Sequence, residues 1–176
     1  MILRSLPFLA AVFLCACQNM PEPYAPPVQR QPFENFRPYR SSRIINMADG
    51  DTDSRIVRDI SPHADGTWRW TGQRPAVRLP QGPNQDLRYV IDFTVPGATF
   101  SQTGPVTLSF YVNDHLLDQV HYSNPGPQHF EKAVPADWLQ EGKEAIVGAE
   151  IDKMYLAKDD GVNLGFIISS IGLKQE

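Results

Sequence analysis

Alternation of apolar and polar side chains is the feature that most constrains how this chain can fold. In Leu87–Val95 and again in Val106–Val112, every second residue is apolar and most of the residues between are polar. Successive side chains of a strand point to opposite faces of a sheet, so each segment is predicted to be a half-buried strand. One face of each strand would lie against a core, which is typical of antiparallel sheets.

The rest of the chain up to residue 176 favours more strands and little helix. Asn113-Asp114 follows the second alternating segment and predicts a tight hairpin, because both residues tolerate positive φ. A change of apolar phase between Ile168 and Ile171 predicts a bulge. Only Ala136–Gln140 is suited to a helical turn, between Pro135 and Gly142. The further strand candidates are Arg55–Ile60, Thr67–Trp70, Ala76–Leu79, Leu116–Tyr122, His129–Val134, Ala145–Ile151 and Leu164–Leu173.

About nine short strands with this spacing of turns predict an all-β domain, a single antiparallel β-sandwich over residues 55–176. The order of several short motifs resembles the galactose-binding-like jelly-roll domains of bacterial envelope and glycosyltransferase-associated proteins. Asp114 departs from that pattern, which prefers Gly at this position of the hairpin. The resemblance implies a non-catalytic role in carbohydrate association or assembly, with no cofactor. The motifs are Trp68-Arg69-Trp70, Leu79-Pro80, Val112-Asn113-Asp114, Val134-Pro135 and Leu164-Gly165.

The N-terminal segment predicts where the protein is located. Leu14-Cys15-Ala16-Cys17 follows a short apolar run and resembles the lipobox of bacterial lipoproteins. The apolar run is too short to span a bilayer and fits a signal peptide, so residues 1–16 are expected to be removed. The resemblance implies acylation of Cys17 by lipid such as palmitate, attachment to the membrane through that lipid, and a place in the bacterial cell envelope. Gln18, in place of Asp, favours the outer membrane.

Residues 17–54 are expected to be a flexible, proline-rich tether that begins at the lipidated cysteine. Prolines recur through residues 21–38 and disfavour regular structure. The aromatic side chains in this stretch have two interpretations: they belong to a linker without a fixed contact, or they dock on the domain or on a partner. They are Phe33, Phe36 and Tyr39. The acidic run Asp49–Asp53 lacks the glycine and glutamate of an EF-hand register, so a solvated loop is favoured over a calcium site.

Trp68, Trp70, Arg69 and Arg74 are the candidate ligand-binding residues. The two indoles share a face of a strand, either as core anchors or as a platform on which a sugar ring stacks, and Trp70 is expected to be core. Arg69 on the opposite face and Arg74 in a following turn would donate hydrogen bonds to hydroxyls. The polar turn Asp159-Asp160-Gly161 with Asn163 is interpreted as a loop, with ligand or calcium contact as the alternative.

Other chemistries are disfavoured. Cys15 leaves with the signal and Cys17 is acylated, so a cysteine nucleophile and thiolate metal sites are excluded from the mature chain. The four histidines lack metal-binding spacings, no metal site is expected, and no nucleophile-elbow or phosphate-loop motif occurs. Carboxylate pairs such as Asp92 with Glu150 are not selected by the sequence.

Charge and partners complete the functional expectation. Loss of Arg4 with the signal lowers the net charge from −4 to −5, which disfavours nucleic acid. Two functions remain: a lipid-anchored module that binds polysaccharide, or a structural lipoprotein that docks on another envelope protein.

Overall fold

The computed structural model describes residues 43–80, 82, 86–140, 142–159 and 161–175. Within these residues the chain is almost entirely antiparallel β-sheet, with one short helix, α1 (Gly97–Thr103), and 3-10 turns at Thr52–Arg55 and Ala136–Trp138. The strands are β1 (Ile44–Asn46), β2 (Ile56–Ile60), β3 (Arg69–Leu79), β4 (Leu87–Val95), β5 (Val106–Val112), β6 (His115–Tyr122), β7 (Gly126–Ala133), β8 (Ala145–Ile151), β9 (Tyr155–Leu156), β10 (Asn163–Leu164) and β11 (Ile167–Gln175).

The sheet order is β6-β5-β8-β3-β11-β4-β7, with β1 added to β11 and β2 added to β3. β3 belongs to both layers of the sandwich. Its first residues pair with β11, and its last four pair with β8. One layer is therefore built from β1, β11, β4 and β7, and the other from β2, β8, β5 and β6.

The alternating strands β4 and β5 supply the inner faces of the two layers. Their odd-numbered and even-numbered apolar residues respectively are almost fully buried. Phe110 of β5 stacks on Phe130 of β7, with ring centroids 3.8 Å apart, and also meets Tyr89 and Phe93 of β4. The hydroxyl of Tyr89 reaches across and donates to the carbonyl of Gly148 at 3.0 Å. The predicted all-β antiparallel sandwich is confirmed.

The predicted hairpin at Asn113-Asp114 is also confirmed. Both residues have positive φ, 46° and 66°, as a two-residue turn of this kind requires. The Asn113 side chain is held on both sides: its amide nitrogen donates to the carbonyl of Trp138, and its oxygen accepts from the backbone N–H of Ile146. The predicted bulge in the last strand lies between Ile168 and Ser170.

The domain begins earlier than the predicted boundary at residue 55. β1 pairs with β11, and Ile45 and Met47 are buried in the core. Thr52 is fully buried, and its hydroxyl donates to the carbonyl of Asn46 at 2.8 Å. The sequence predicts residues 43–54 to be part of the tether, because a three-residue strand beside an acidic loop is too short to show a periodic pattern.

Two local predictions were wrong. Thr67–Trp70 and Ala76–Leu79 were predicted as separate strands, but one strand of 11 residues, β3, joins Arg69 and Trp70 to Ala76–Leu79. Trp68 precedes β3 and forms an isolated bridge with Asp65. The intervening glycine and proline form an irregular stretch against β2, where the register shifts, and not a reversal of the chain. Helix α1 was missed because, of its seven residues, only Thr99 is buried, so it has no apolar stripe.

The predicted signal peptide, Cys17 and the aromatic residues at 33, 36 and 39 lie outside the described residues. Among the residues that are described, no helix has the length and apolar character to cross a membrane.

Candidate functional site: an aromatic cleft beside strand β3

Trp68 and Trp70 lie side by side on the outer face of the sandwich. Their ring centroids are 6.2 Å apart and the rings are nearly perpendicular, at 86°. Both side chains are half-buried, and neither belongs to the core cluster. The sequence correctly predicts that the two indoles share a face, but Trp70 is not the core residue that was expected.

The residue between the indoles explains this reversal. Arg69 points inward and is 5% exposed. Its Nε donates to the carbonyl of Met47 at 2.9 Å, and its Nη1 donates to the carbonyls of Ser61 and Pro62 and to the carboxylate of Asp53. Since alternate residues of a strand face opposite ways, an inward arginine places both tryptophans outside. Arg69 is committed to the interior of the domain and is not part of the candidate site.

Trp70 forms part of the floor of an open cleft with a volume of about 480 Å³. Thr71 and Gly72 complete the floor. One wall is the end of β2, with the carboxylate of Asp59 and the hydroxyl of Ser61, and the other is the β9–β10 hairpin. The hairpin residues that line the cleft are Val162, Asn163 and Leu164.

Thr71 holds the hairpin wall in place. Its backbone N–H and its hydroxyl both donate to the carbonyl of Phe166 at 2.9 Å, and the hydroxyl accepts from the Phe166 N–H at 3.1 Å. The Gly165 N–H donates to the Thr71 carbonyl at 2.7 Å. A Cβ on Gly165 would overlap the carbonyl oxygen of Gly72, so only glycine permits this approach.

The opposite wall depends on an unusual backbone conformation at Asp59. Its φ is +54°, a left-handed conformation that costs free energy in residues other than glycine. One carboxylate oxygen accepts from the backbone N–H of Arg74 at 2.9 Å, and Gly72 leaves room for the carboxyl group beside it. The local conformation and this hydrogen bond fix the carboxylate at the cleft.

The cleft thus combines an exposed indole face, short apolar side chains and a few oriented polar groups. Asp59 supplies a carboxylate acceptor, and Asn163 is exposed at the rim. Asn163 belongs to the turn that the sequence marked as a loop with ligand contact as an alternative. Asp59 was not predicted, since its role depends on its backbone conformation and on a neighbour 15 residues away.

Arg74 lies beside this cleft but projects away from it. Its Nε is 3.1 Å from Glu150 Oε2, and its guanidinium carbon is 5.9 Å from the centroid of the Tyr111 ring. Tyr111 donates to the same Glu150 oxygen at 3.3 Å. Arg58 donates to the Arg74 carbonyl and lines the same shallow hollow. The structure therefore brings the two tryptophans together and places Arg74 in an adjoining polar cluster.

A second polar cluster lies on the outer face of the other layer. Asp92 accepts from Ser170 Oγ at 2.8 Å, and one of its oxygens is 2.7 Å from His129 Nδ1. Partial burial raises the pKa of Asp92, but the hydrogen bonds from His129 and Ser170 and the nearby imidazole outweigh it, and the pKa is lowered. A nucleophilic serine donates its hydroxyl hydrogen bond to the imidazole that activates it. The Ser170 hydroxyl donates to the Asp92 carboxylate, so His129 does not activate Ser170.

Asp92 and Glu150 are separated by the sandwich. Asp92 belongs to β4 and bonds to residues of β7 and β11, whereas Glu150 belongs to β8 and bonds to Tyr111 of β5. The two carboxylates are on the outer faces of opposite layers, and packed layers are themselves about 10 Å apart. They are too far apart to flank one glycosidic bond.

Each aspartate of the acidic loop before β2 has a partner within the domain, and two of the three partners are arginines. Asp51 pairs with Arg55 at 2.8 Å, Asp53 pairs with Arg69, and Asp49 accepts from Asn46. Within the described ranges, no group of three or more His, Cys, Asp or Glu side chains is arranged to hold a metal ion. The loop is better explained as a structural element of the domain start than as a calcium site.

No family model matches the chain. No curated protein matches its sequence. Among solved structures, the chain is similar to the xylan-binding module CBM15, with 12% sequence identity and a TM-score of 0.43 over 76% of this chain and 97% of that one. It is also similar to CBM35 from Paenibacillus barcinonensis, with 10% identity and a TM-score of 0.34 over 77% and 91% of the two chains.

A further similar structure is dimeric latent PorU from Porphyromonas gingivalis, with 16% identity and a TM-score of 0.34. That match covers 56% of this chain and 10% of PorU, so the chain spans only a small part of PorU. At these identities the likenesses concern the fold alone.

Proposed function

We propose that this chain is a non-catalytic, lipid-anchored protein of the bacterial cell envelope that binds carbohydrate in the cleft at Trp70. The observation that carries the proposal is the orientation of the side chains at the start of β3. The strand buries the charged side chain of Arg69 and leaves two indoles half-exposed beside a cleft. The hydrogen bonds of Arg69 account for its burial, and the result is aromatic surface at Trp70 that lines a cleft open to a ligand.

Sugars fit the chemistry of the cleft. A pyranose has an apolar face that can lie on an indole ring and a rim of hydroxyls that donate to a carboxylate. Trp70 supplies the ring, Asp59 the acceptor and Asn163 an amide at the opposite wall. A small number of placed polar groups around apolar surface is the general pattern of small-ligand sites. The carboxylate disfavours an anionic ligand here and favours neutral sugars.

The substitution Trp70→Ala tests this function. Binding of neutral polysaccharide, xylan among a panel of cell-wall glycans, is expected to weaken at least tenfold, since truncation of a central aromatic contact typically costs about 2 kcal/mol or more. The melting temperature is expected to change little, because the ring is outside the core cluster. Affinity electrophoresis and thermal melting of the full-length chain in detergent measure the two effects.

Trp138 provides the control. It is the third of the chain's three tryptophans, and its ring stacks on His115, with centroids 4.8 Å apart. Trp138→Phe should retain glycan binding, and the remaining fluorescence then comes from Trp68 and Trp70, so a glycan-dependent emission change reports the cleft. If no glycan binds, or if Trp70→Ala binds as wild type does, the proposed site is wrong. Capture of an envelope protein that depends on Phe33 and Phe36 would then favour the docking lipoprotein.

The lipid anchor has its own test. The lipobox at Cys17 and the short apolar segment before it support the proposal. Cys17→Ser is expected to block acylation. The protein should then either leave the membrane fraction or accumulate as an unprocessed precursor. Cell fractionation with immunoblotting measures both. A Cys17→Ser protein that remains in the membrane fraction at its mature size contradicts the anchor.

A further inference from the structure

The cleft at Trp70 adjoins the hollow at Arg74 through two consecutive residues. Asp59 lines the cleft, and Arg58 lines the hollow. Asp59 also accepts from the Arg74 N–H, and Arg58 Nε donates to the Arg74 carbonyl at 3.1 Å. The end of β2 is therefore tied to Arg74 on both sides, and the two recesses form neighbouring parts of one surface.

Strand β3 runs beneath both recesses. Trp70 lies at the floor of the cleft, and Arg74 follows four residues later at the hollow. At about 3.3 Å per residue the two positions are up to roughly 13 Å apart. An oligosaccharide on Trp70 is long enough to reach Arg74 at that separation.

The hollow has groups suited to sugar hydroxyls. Tyr111 donates to Glu150, which also pairs with Arg74 Nε, and the Arg74 side chain is 52% exposed. Asp114 lines the same hollow. The guanidiniums of Arg58 and Arg74 are balanced at the hollow by the carboxylates of Asp114 and Glu150, and Asp59 adds one negative charge at the cleft.

We propose that the ligand is a chain of neutral sugars bound lengthwise, with one unit on Trp70 and a later unit against Arg74 and Tyr111. This rests on the proposed carbohydrate function and deepens it. The site then recognises the interior of a polysaccharide and not a free monosaccharide or a chain end. The polar contacts at the hollow add to the affinity only for ligands long enough to reach it.

A size series of one neutral glycan tests the inference. The full-length chain in detergent is titrated with xylo-oligosaccharides and, in parallel, cello-oligosaccharides, from the monosaccharide to the hexasaccharide. Affinity should rise by about tenfold or more with length, as one or two additional charged hydrogen bonds would give. Arg74→Ala and Tyr111→Phe should lower hexasaccharide affinity toward that of the disaccharide and leave disaccharide affinity unchanged.

Arg78 offers a matched control. It lies four residues further along β3, is equally exposed at 52%, and pairs with Glu144 as Arg74 pairs with Glu150. Arg78→Ala should keep the full dependence on length. The lengthwise proposal is overturned if short and long sugars bind with equal affinity, or if Arg74→Ala and Arg78→Ala have equal effects. In that case, loss of binding in Trp70→Ala would still support the proposed carbohydrate-binding function. If no oligosaccharide binds, or binding survives Trp70→Ala, the proposed function fails and this inference fails with it.

Discussion

A fragment that begins at residue 55 is expected to be less stable than one that begins at residue 43, by at least about 4 kcal/mol, because each large apolar side chain removed from a core costs about 2–5 kcal/mol. The shorter fragment loses Ile45, which is 2% exposed, and Met47, which is fully buried. It also loses the pairing of β1 with β11 and the buried Thr52. Urea unfolding followed by tryptophan fluorescence measures the difference, and the short fragment is expected to be largely unfolded near physiological temperature.

Single substitutions separate packing from chain length. Ile45→Ala and Met47→Ala in the longer fragment should each lower the free energy of unfolding by about 2–5 kcal/mol. Ala48→Ser, at an exposed position in the same segment, should leave it nearly unchanged. Equal unfolding midpoints for the two fragments would mean that residues 43–54 are dispensable, as the sequence alone suggested.

Arg69→Met is expected to destabilise the domain by about 1–3 kcal/mol, since the carbonyl of Met47 is left as a buried acceptor without its donor and the other two acceptors are only partly buried. Three backbone carbonyls, those of Met47, Ser61 and Pro62, accept from this one guanidinium. Methionine fills much of the same volume without donating, so the loss reports the hydrogen bonds. Arg69→Lys should recover only part of it, because a single ammonium cannot reach acceptors on both sides.

Arg78→Met is the comparison for this substitution, since it removes the same charge from an exposed position of the same strand. Its effect should stay within about 0.5 kcal/mol. A second comparison is the fragment that lacks residues 43–54, in which two of the partners of Arg69 are absent; if it can be measured, Arg69→Met should cost less there. An unchanged urea-unfolding midpoint in Arg69→Met would show that water replaces the guanidinium and that the buried arginine does not stabilise the domain.

Long alternating segments could be read from the sequence, and contacts between distant segments could not. Leu87–Val95 and Val106–Val112 are strands with the predicted bounds, because one repeated face settles both register and burial. At the start of β3 the same rule predicts that Trp68 and Trp70 share a face, but not which face. That choice depends on the acceptors around Arg69, and one of them, Met47, is 22 residues away.

The candidate site shows the same division. The aromatic floor and Asn163 were marked by residue type alone. Their meeting at one cleft depends on Thr71 bonding to Phe166 across 95 residues of chain, a distance over which no local pattern operates. Asp59 carries no motif, and its left-handed conformation occurs where the register of β2 against β3 shifts, between Arg58 and Ile60. The aromatic side chains of the candidate site could therefore be predicted from the sequence, and the carboxylate beside them could not.

The pairing of β1 with β11 places the start of the described domain at one end of β11. Arg43 enters beside Leu173, whose N–H donates to the Arg43 carbonyl at 2.8 Å, while Trp70 pairs with Ile167 at the opposite end of β11. Six residues of extended strand separate the two points, about 20 Å. The cleft at Trp70 therefore lies at the opposite end of β11 from the pairing with β1, so the segment that completes the core and the segment that forms the candidate site are separate parts of the fold.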